Sequence, residues 1–143
     1  MVALSFTSHS EAETLALARK LSGSFKPGDV IVLSGPLGSG KTVFVKGLAE
    51  GRGIAPTSVS SPSFGFVNEY RGETPIFHFD LYRLKETFEL REIGWDDYLQ
   101  RDGIVVVEWG ERAEQLLPDR FYRIEFMMVS DTDRRIDLAA EGA

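Results

Sequence analysis

The sequence predicts a single mixed α/β domain: a mostly parallel central sheet flanked by helices and extended by antiparallel hairpins. Three observations carry that expectation. Val30-Ile31-Val32-Leu33 and Ile104-Val105-Val106-Val107 are short, wholly apolar, β-branched runs, the pattern of strands buried on both faces of a parallel sheet. The first of them runs straight into a glycine-rich segment followed by residues of helical composition. A chain of 143 residues, 43% hydrophobic and 27% charged, suits one domain with a sizeable core, so residues 1–143 are read as one unit.

The elements follow in order. Ser10-Glu11-Ala12-Glu13 has the serine-then-glutamate spacing of a capping box, and Leu15, Ala18 and Leu21 recur at helical intervals, predicting a helix to about Leu21. Lys26-Pro27-Gly28-Asp29 reads as a turn before the strand at Val30. Val43 to Glu50 is a second helix, stopped by Gly51-Arg52-Gly53, and Thr57 to Ser63 is a polar loop. Phe64 to Tyr70 and Ile76 to Asp80 flank Arg71-Gly72-Glu73-Thr74 as a hairpin. Leu81 to Leu99 is helical in pieces, broken around Gly94. After the strand at Ile104, Ala113 to Leu117 is expected as a short helix halted by Pro118. Phe121 to Val129 and Arg135 to Ala139 close the chain as another hairpin.

Bulk chemistry excludes several classes. With 16 Lys and Arg against 22 Asp and Glu, the formal charge is −6, which opposes unaided binding to a polyanion. The chain has no cysteine, so disulfide frameworks, thiolate metal sites and thiol nucleophiles are out, and a reducing cytoplasm is the expected location. No apolar run is long enough to span a bilayer, and the N-terminal residues lack the pattern of a secretion signal.

Gly35-Pro36-Leu37-Gly38-Ser39-Gly40-Lys41-Thr42 matches G-x-x-x-x-G-K-S/T at every required position, between an expected strand and an expected helix. This is the sequence of a P-loop, and it makes the domain P-loop NTPase-like. Its glycines let the backbone turn with N–H groups inward, where they and the helix N-terminus meet phosphates. Gly35, Leu37, Gly38, Ser39, Gly40, Lys41, Thr42 and Val43 are therefore the expected triphosphate-binding residues. Lys41 supplies a cation to the β- and γ-phosphates, and Thr42 supplies a hydroxyl to Mg²⁺.

Such a site needs a further carboxylate at the end of a neighbouring strand. Ile76-Phe77-His78-Phe79-Asp80 and Ile104-Val105-Val106-Val107-Glu108 both run apolar into an acid. Because the second is the cleaner buried strand, Glu108 is expected beside the metal; Asp80 is the second candidate. His78 reads as a packed, hydrogen-bonded histidine, and Trp109 as a packing residue placed to report nucleotide or partner binding. Ser60 to Phe64 forms a hydroxyl-bearing loop able to face the γ-phosphate and change order with nucleotide state. No arginine can be singled out as a finger.

Taken together, these segments resemble the TsaE family, also called YjeE. The resemblance rests on the P-loop, then Ser61-Pro62-Ser63-Phe64, Val67-Asn68-Glu69-Tyr70, His78-Phe79-Asp80-Leu81-Tyr82-Arg83-Leu84 and Glu108-Trp109-Gly110-Glu111-Arg112, and covers essentially the whole chain. It implies an ATPase, using ATP and Mg²⁺, that acts with the TsaB and TsaD proteins in forming threonylcarbamoyladenosine in tRNA, with the tRNA held through those partners. By position it implies Lys41 on the phosphates, Thr42 and Glu108 on Mg²⁺, Asp80 in hydrolysis or coupling, and Thr7 and Arg134 near adenine. Ser63 stands where the family usually has threonine and keeps the hydroxyl; Ser63 and Trp109 are expected to answer to partner or nucleotide state. Pro36 replaces a common acidic residue, and Gly110 a common proline.

Three other functions compete with this one. A small-molecule kinase would use the same loop but needs an arginine-bearing lid and an acceptor insertion, for which the chain has little room. A GTPase would carry D-x-x-G and N-K-x-D segments, which are absent. A nucleotide-dependent scaffold would not need the pair Asp80 and Glu108 for its function.

Overall fold

The computed structural model describes residues 2–62 and 65–142. Among them, seven strands form one sheet: β1 (Val2–Ser8), β2 (Val30–Ser34), β3 (Val67–Tyr70), β4 (Ile76–Asp80), β5 (Ile104–Glu108), β6 (Phe121–Met128) and β7 (Arg134–Glu141). Helices α1 (Glu11–Ser22), α2 (Lys41–Glu50), α3 (Thr87–Glu92) and α4 (Trp95–Gln100) cover it. The sheet order is β1-β7-β6-β2-β5-β4-β3. The four central strands β6, β2, β5 and β4 run parallel, and antiparallel strands extend both flanks.

The two apolar runs that announced the fold are adjacent, with Val30 opposite Val105 and Leu33 opposite Glu108. Side chains alternate along them. Ile31, Leu33 and Val106 enter a core with Ala18, Phe44, Val45, Leu48, Ile124 and Phe126, whereas Val30, Val32, Val105 and Val107 enter a second core with Phe77, Phe79, Leu90 and Trp95. A strand with helices on both sides must be apolar at every position, which is why these runs carry no period-two polarity. Each such side chain buried contributes about 1.5–3 kcal/mol.

Local chemistry explains the helix ends. Ser10 is extended (φ −164°) and its hydroxyl accepts the Glu13 amide at 3.1 Å. The Glu13 carboxylate takes the His9 amide at 3.0 Å, one residue before the reciprocal partner of a capping box. Helix α2 starts two residues before the expected Val43, at Lys41, and Phe44 meets Phe126 edge to face at 5.6 Å, seating the helix on the sheet.

Both expected hairpins form, β3 with β4 and β6 with β7. Strand β3 begins only at Val67, because Phe66 takes a left-handed φ of 63°. The expected pieces between Leu81 and Leu99 are α3 and α4, separated at Gly94. The short helix expected over Ala113 to Leu117 forms as the second part of a 3₁₀ segment, Gly110–Leu116, that starts three residues earlier and is interrupted at Ala113 (φ −145°, ψ 42°). The Leu117 amide closes on the Glu114 carbonyl three residues back, and Pro118 has no amide with which to continue an α-helix. Strand β1, not expected from the sequence, pairs antiparallel with β7 and sets Thr7 opposite Arg135.

Candidate functional site

The site lies at the carboxyl ends of the parallel strands, where an open α/β sheet with crossovers to both sides leaves a crevice. Strand β2 ends at Ser34 and the glycine-rich loop follows; β4 ends at Asp80 and β5 at Glu108. Because Asp80 pairs in register with Glu108, and Glu108 with Leu33, the two carboxylates and the loop occupy adjacent strand ends. Together with Ser10, Glu11, Thr14, Ser61 and Thr132 they enclose a cavity of about 240 Å³.

Leu37, Gly38, Ser39, Gly40, Lys41, Thr42 and Val43 all line that cavity, as do Asp80, Glu108, Trp109 and Arg134. Gly35 lies behind it, and its carbonyl accepts from Lys41 Nζ at 2.7 Å. Thr7 is exposed on β1 and stands apart from the lining residues; Ser10 and Thr14 form that wall. Ser63 lies outside the described residues.

Backbone geometry makes a cradle of the loop. Gly40 has φ 106° and ends the loop in the left-handed region that glycine tolerates, so α2 begins with no side-chain cap and its first amides face the cavity end. The first turn of α2 holds no acidic residue, which leaves the positive end of the helix dipole uncompensated. Ser39 is fully buried and, among the described residues, its Oγ has no hydrogen-bond partner, an arrangement that costs about 1–3 kcal/mol until something fills it.

Lys41 is 5% exposed and rests on the neutral Gly35 carbonyl and on the indole of Trp109, whose centroid is 4.1 Å from Nζ. Burial pushes its pKa down, and Glu108, Asp80 and Glu111 pull it back up. Burial also raises the Asp80 carboxyl above the usual range, with Glu108 adding to the rise, while the Tyr82 amide, 3.0 Å from Oδ1, works against it. Trp109 carries a left-handed φ of 62°, and meets Tyr82 at a tilt of 55°, 5.0 Å between ring centres. That backbone strain, directly after Glu108, turns the indole over the cavity.

His78 is the packed, hydrogen-bonded histidine expected from the sequence: its Nε2 lies 2.5 Å from Glu108 Oε2, and Tyr70 Oη, which sequence reasoning passed over, lies 2.8 Å from its Nδ1. In the expected hydroxyl-bearing loop, Ser61 Oγ lies 3.1 Å from Thr42 Oγ1. The available signal for His78 was a polar residue in the middle of an otherwise apolar strand. Arg134 ties the β6–β7 turn to the loop, donating to the carbonyls of Ser130 at 2.9 Å and Gly38 at 3.3 Å.

A glycine-rich strand-to-helix loop with lysine and threonine at its end, set at the carboxyl edge of parallel strands, defines a P-loop fold. The family model described as "Threonylcarbamoyl adenosine biosynthesis protein TsaE" matches residues 8–136, and the chain belongs to that family. Among its relatives, the protein of Bacillus subtilis (strain 168) called "tRNA threonylcarbamoyladenosine biosynthesis protein TsaE" is 40% identical over 131 residues, 91% of this chain and 81% of that protein. The protein of the same name from Treponema pallidum (strain Nichols) is 39% identical over 112 residues, 78% of this chain and 82% of its own length. The solved structure described as "Crystal structure of Bacillus subtilus YdiB" superposes with a TM-score of 0.80 at 34% identity, over 100% of this chain and 88% of that one.

Proposed function

We propose that this chain binds and hydrolyses Mg-ATP and, through that cycle, regulates or resets the TsaB–TsaD complex that forms threonylcarbamoyladenosine in tRNA. The observation that carries the proposal is the juxtaposition of an uncapped helix start, Lys41 and Thr42 with Asp80 and Glu108 across one cavity. An acidic chain of net charge −6 suits tRNA held by partners rather than by this protein. A cytoplasmic location follows from the same reading, and among the described residues no helix is long and apolar enough to cross a membrane.

The donor set fits Mg²⁺ in company with a nucleotide. Among the described residues no group of three or more His, Asp or Glu gathers to hold an ion by itself. Mg²⁺ keeps several waters and is commonly held by few protein oxygens plus substrate phosphates, and the Thr42 hydroxyl with the Glu108 carboxylate is such a set. When bound there, the ion supplies charge neutralisation at the phosphate oxygens.

The chain's own residues do the rest. The loop amides and the Lys41 ammonium bind the β- and γ-phosphates, Thr42 and Glu108 would hold the ion, and Asp80 positions the attacking water and takes its proton. A raised carboxyl pKa makes the ionised Asp80 the stronger base. The Arg134 guanidinium is committed to turn carbonyls, so the site has no prepared arginine finger there and slow turnover by the isolated protein is expected.

The test is phosphate release from Mg-ATP by the purified chain, alone and with TsaB and TsaD, beside a pull-down of those proteins with and without ATP. Slow release that rises with the partners, and ATP-dependent capture, support the proposal. Absence of release in both mixtures contradicts it.

A further inference from the structure

A line of hydrogen bonds leaves the cavity through side chains to which the ATPase reading gives no task. His78 is completely buried in the middle of β4, and Tyr70 and Glu108 are nearly so. From Glu108 the line passes through both ring nitrogens of His78 to Tyr70 Oη, at 2.5 and 2.8 Å. Tyr70 Oη is 2.8 Å from the Ser60 carbonyl and accepts from the Ser60 amide at 3.2 Å. The next residue, Ser61, contacts Thr42 directly at 3.1 Å. The 60–61 loop is thus attached to both residues assigned to Mg²⁺, once directly and once through two buried side chains.

The line contains a choice. Tyr70 has one hydroxyl proton and two acceptors in reach, His78 Nδ1 and the Ser60 carbonyl. While the Glu108 carboxylate accepts from His78 Nε2–H, a neutral ring presents Nδ1 as an acceptor for Tyr70. When the carboxylate turns away, the other tautomer places the ring proton on Nδ1, and the Tyr70 proton goes to Ser60. The direction of Glu108 therefore sets how Tyr70 holds the loop backbone.

We propose that His78 and Tyr70 are positioning residues that couple the orientation of Glu108 to the Ser60–Ser61 loop. What turns Glu108 rests on the Mg-ATP reading above; the coupling itself does not. A loop held in this way senses the state of the site and presents it at the surface, where Ser60 and Ser61 are exposed.

Amide hydrogen exchange at Ser60, followed by NMR on the nucleotide-free protein, tests the coupling. Glu108→Ala is expected to shift the Ser60 exchange rate by about threefold or more, and to leave it unshifted in the Tyr70→Phe background. The Ser58 amide, bonded to the Ala55 carbonyl at 2.9 Å, keeps its rate. In turnover, Tyr70→Phe is expected to lower kcat about tenfold with KM nearly unchanged. An unshifted Ser60 amide in Glu108→Ala, or the same shift with and without Tyr70, overturns the proposal. So does a Tyr70→Phe protein that loses thermal stability but keeps kcat. A wild-type chain that fails to hydrolyse ATP sinks the ATPase reading, while the exchange measurement still decides the coupling.

Discussion

Replacing Gly35 by alanine tests whether the loop backbone is held by the sheet behind it. Gly35 has φ 147°, and a Cβ there would sit 2.8 Å from the Phe126 carbonyl oxygen, 2.9 Å from Phe126 Cβ and 3.0 Å from Ser39 Oγ. Two of these neighbours belong to β6 in the middle of the sheet and cannot swing aside. The backbone conformation costs about 1–3 kcal/mol for a residue with a side chain, and overpacking costs about 1–3 kcal/mol more, giving about 2–6 kcal/mol in all. Gly38 is the control. Its φ is 79°, but the nearest atom to an added Cβ is the flexible Met128 Cε at 3.7 Å, so Gly38→Ala pays the backbone term alone, about 1–2 kcal/mol. At about 3–4 °C per kcal/mol for a chain of this size, calorimetry without nucleotide should show Gly35→Ala melting about 6–24 °C below wild type and Gly38→Ala about 3–8 °C below. Since Lys41 Nζ donates to the Gly35 carbonyl, Mg-ATP affinity should fall with Gly35→Ala as well. Equal losses of stability in the two variants would refute the claim that β6 braces the loop.

Two further outcomes follow from charge and ring placement. His9 and Asp133 pair at 3.1 Å, and the hydrogen bond with Asp133 holds the His9 pKa above its ordinary 6.5, while the same bond lowers the Asp133 carboxyl below 3.8. The His9 contribution to stability is full below pH 6.5 and is lost as pH rises through the folded pKa; the Asp133 contribution is present above pH 3.8 and is lost as pH falls through its lowered value. NMR titration should find His9 raised in the wild type and back near its ordinary value in Asp133→Asn; no change between the two would show the pair to be ineffective. Of the two tryptophans, Trp95 is buried with Nε1 bonded to the Leu116 carbonyl at 2.9 Å, whereas Trp109 lies on Lys41. Mg-ATP should therefore change the emission of the wild type and not of Trp109→Phe; a response that survives in Trp109→Phe would place the change elsewhere.

The strands and loop that make the site were legible because buried parallel strands and phosphate cradles leave strong local patterns, as at Val30–Leu33 and Gly35–Thr42. Glu108 and Asp80 could be named from strand ends, since the carboxyl edge of a parallel sheet is where a ligand must sit. Strand β1 was missed although Val2, Leu4 and Phe6 alternate with smaller or polar residues, because a strand at the sheet edge pairs with a partner more than a hundred residues away. The short helix before Pro118 was legible, but its 3₁₀ type and its start at Gly110 were not, because composition does not distinguish three-residue from four-residue closure in so short a segment. Neither the Glu108–His78–Tyr70 line nor the Ser61–Thr42 contact could be read, since each joins residues brought close only by strand order and loop path.

The central claim is that the loop and Lys41 capture the tail of a nucleoside triphosphate, and titration calorimetry of Mg-ATP into wild type and Lys41→Ala tests it most directly. Wild type should give saturable heat at one site, and loss of a charge-assisted bond worth about 1.5–3 kcal/mol should weaken binding about 10- to 100-fold in Lys41→Ala. No heat from well-folded wild type, or equal affinity in the two proteins, would contradict it.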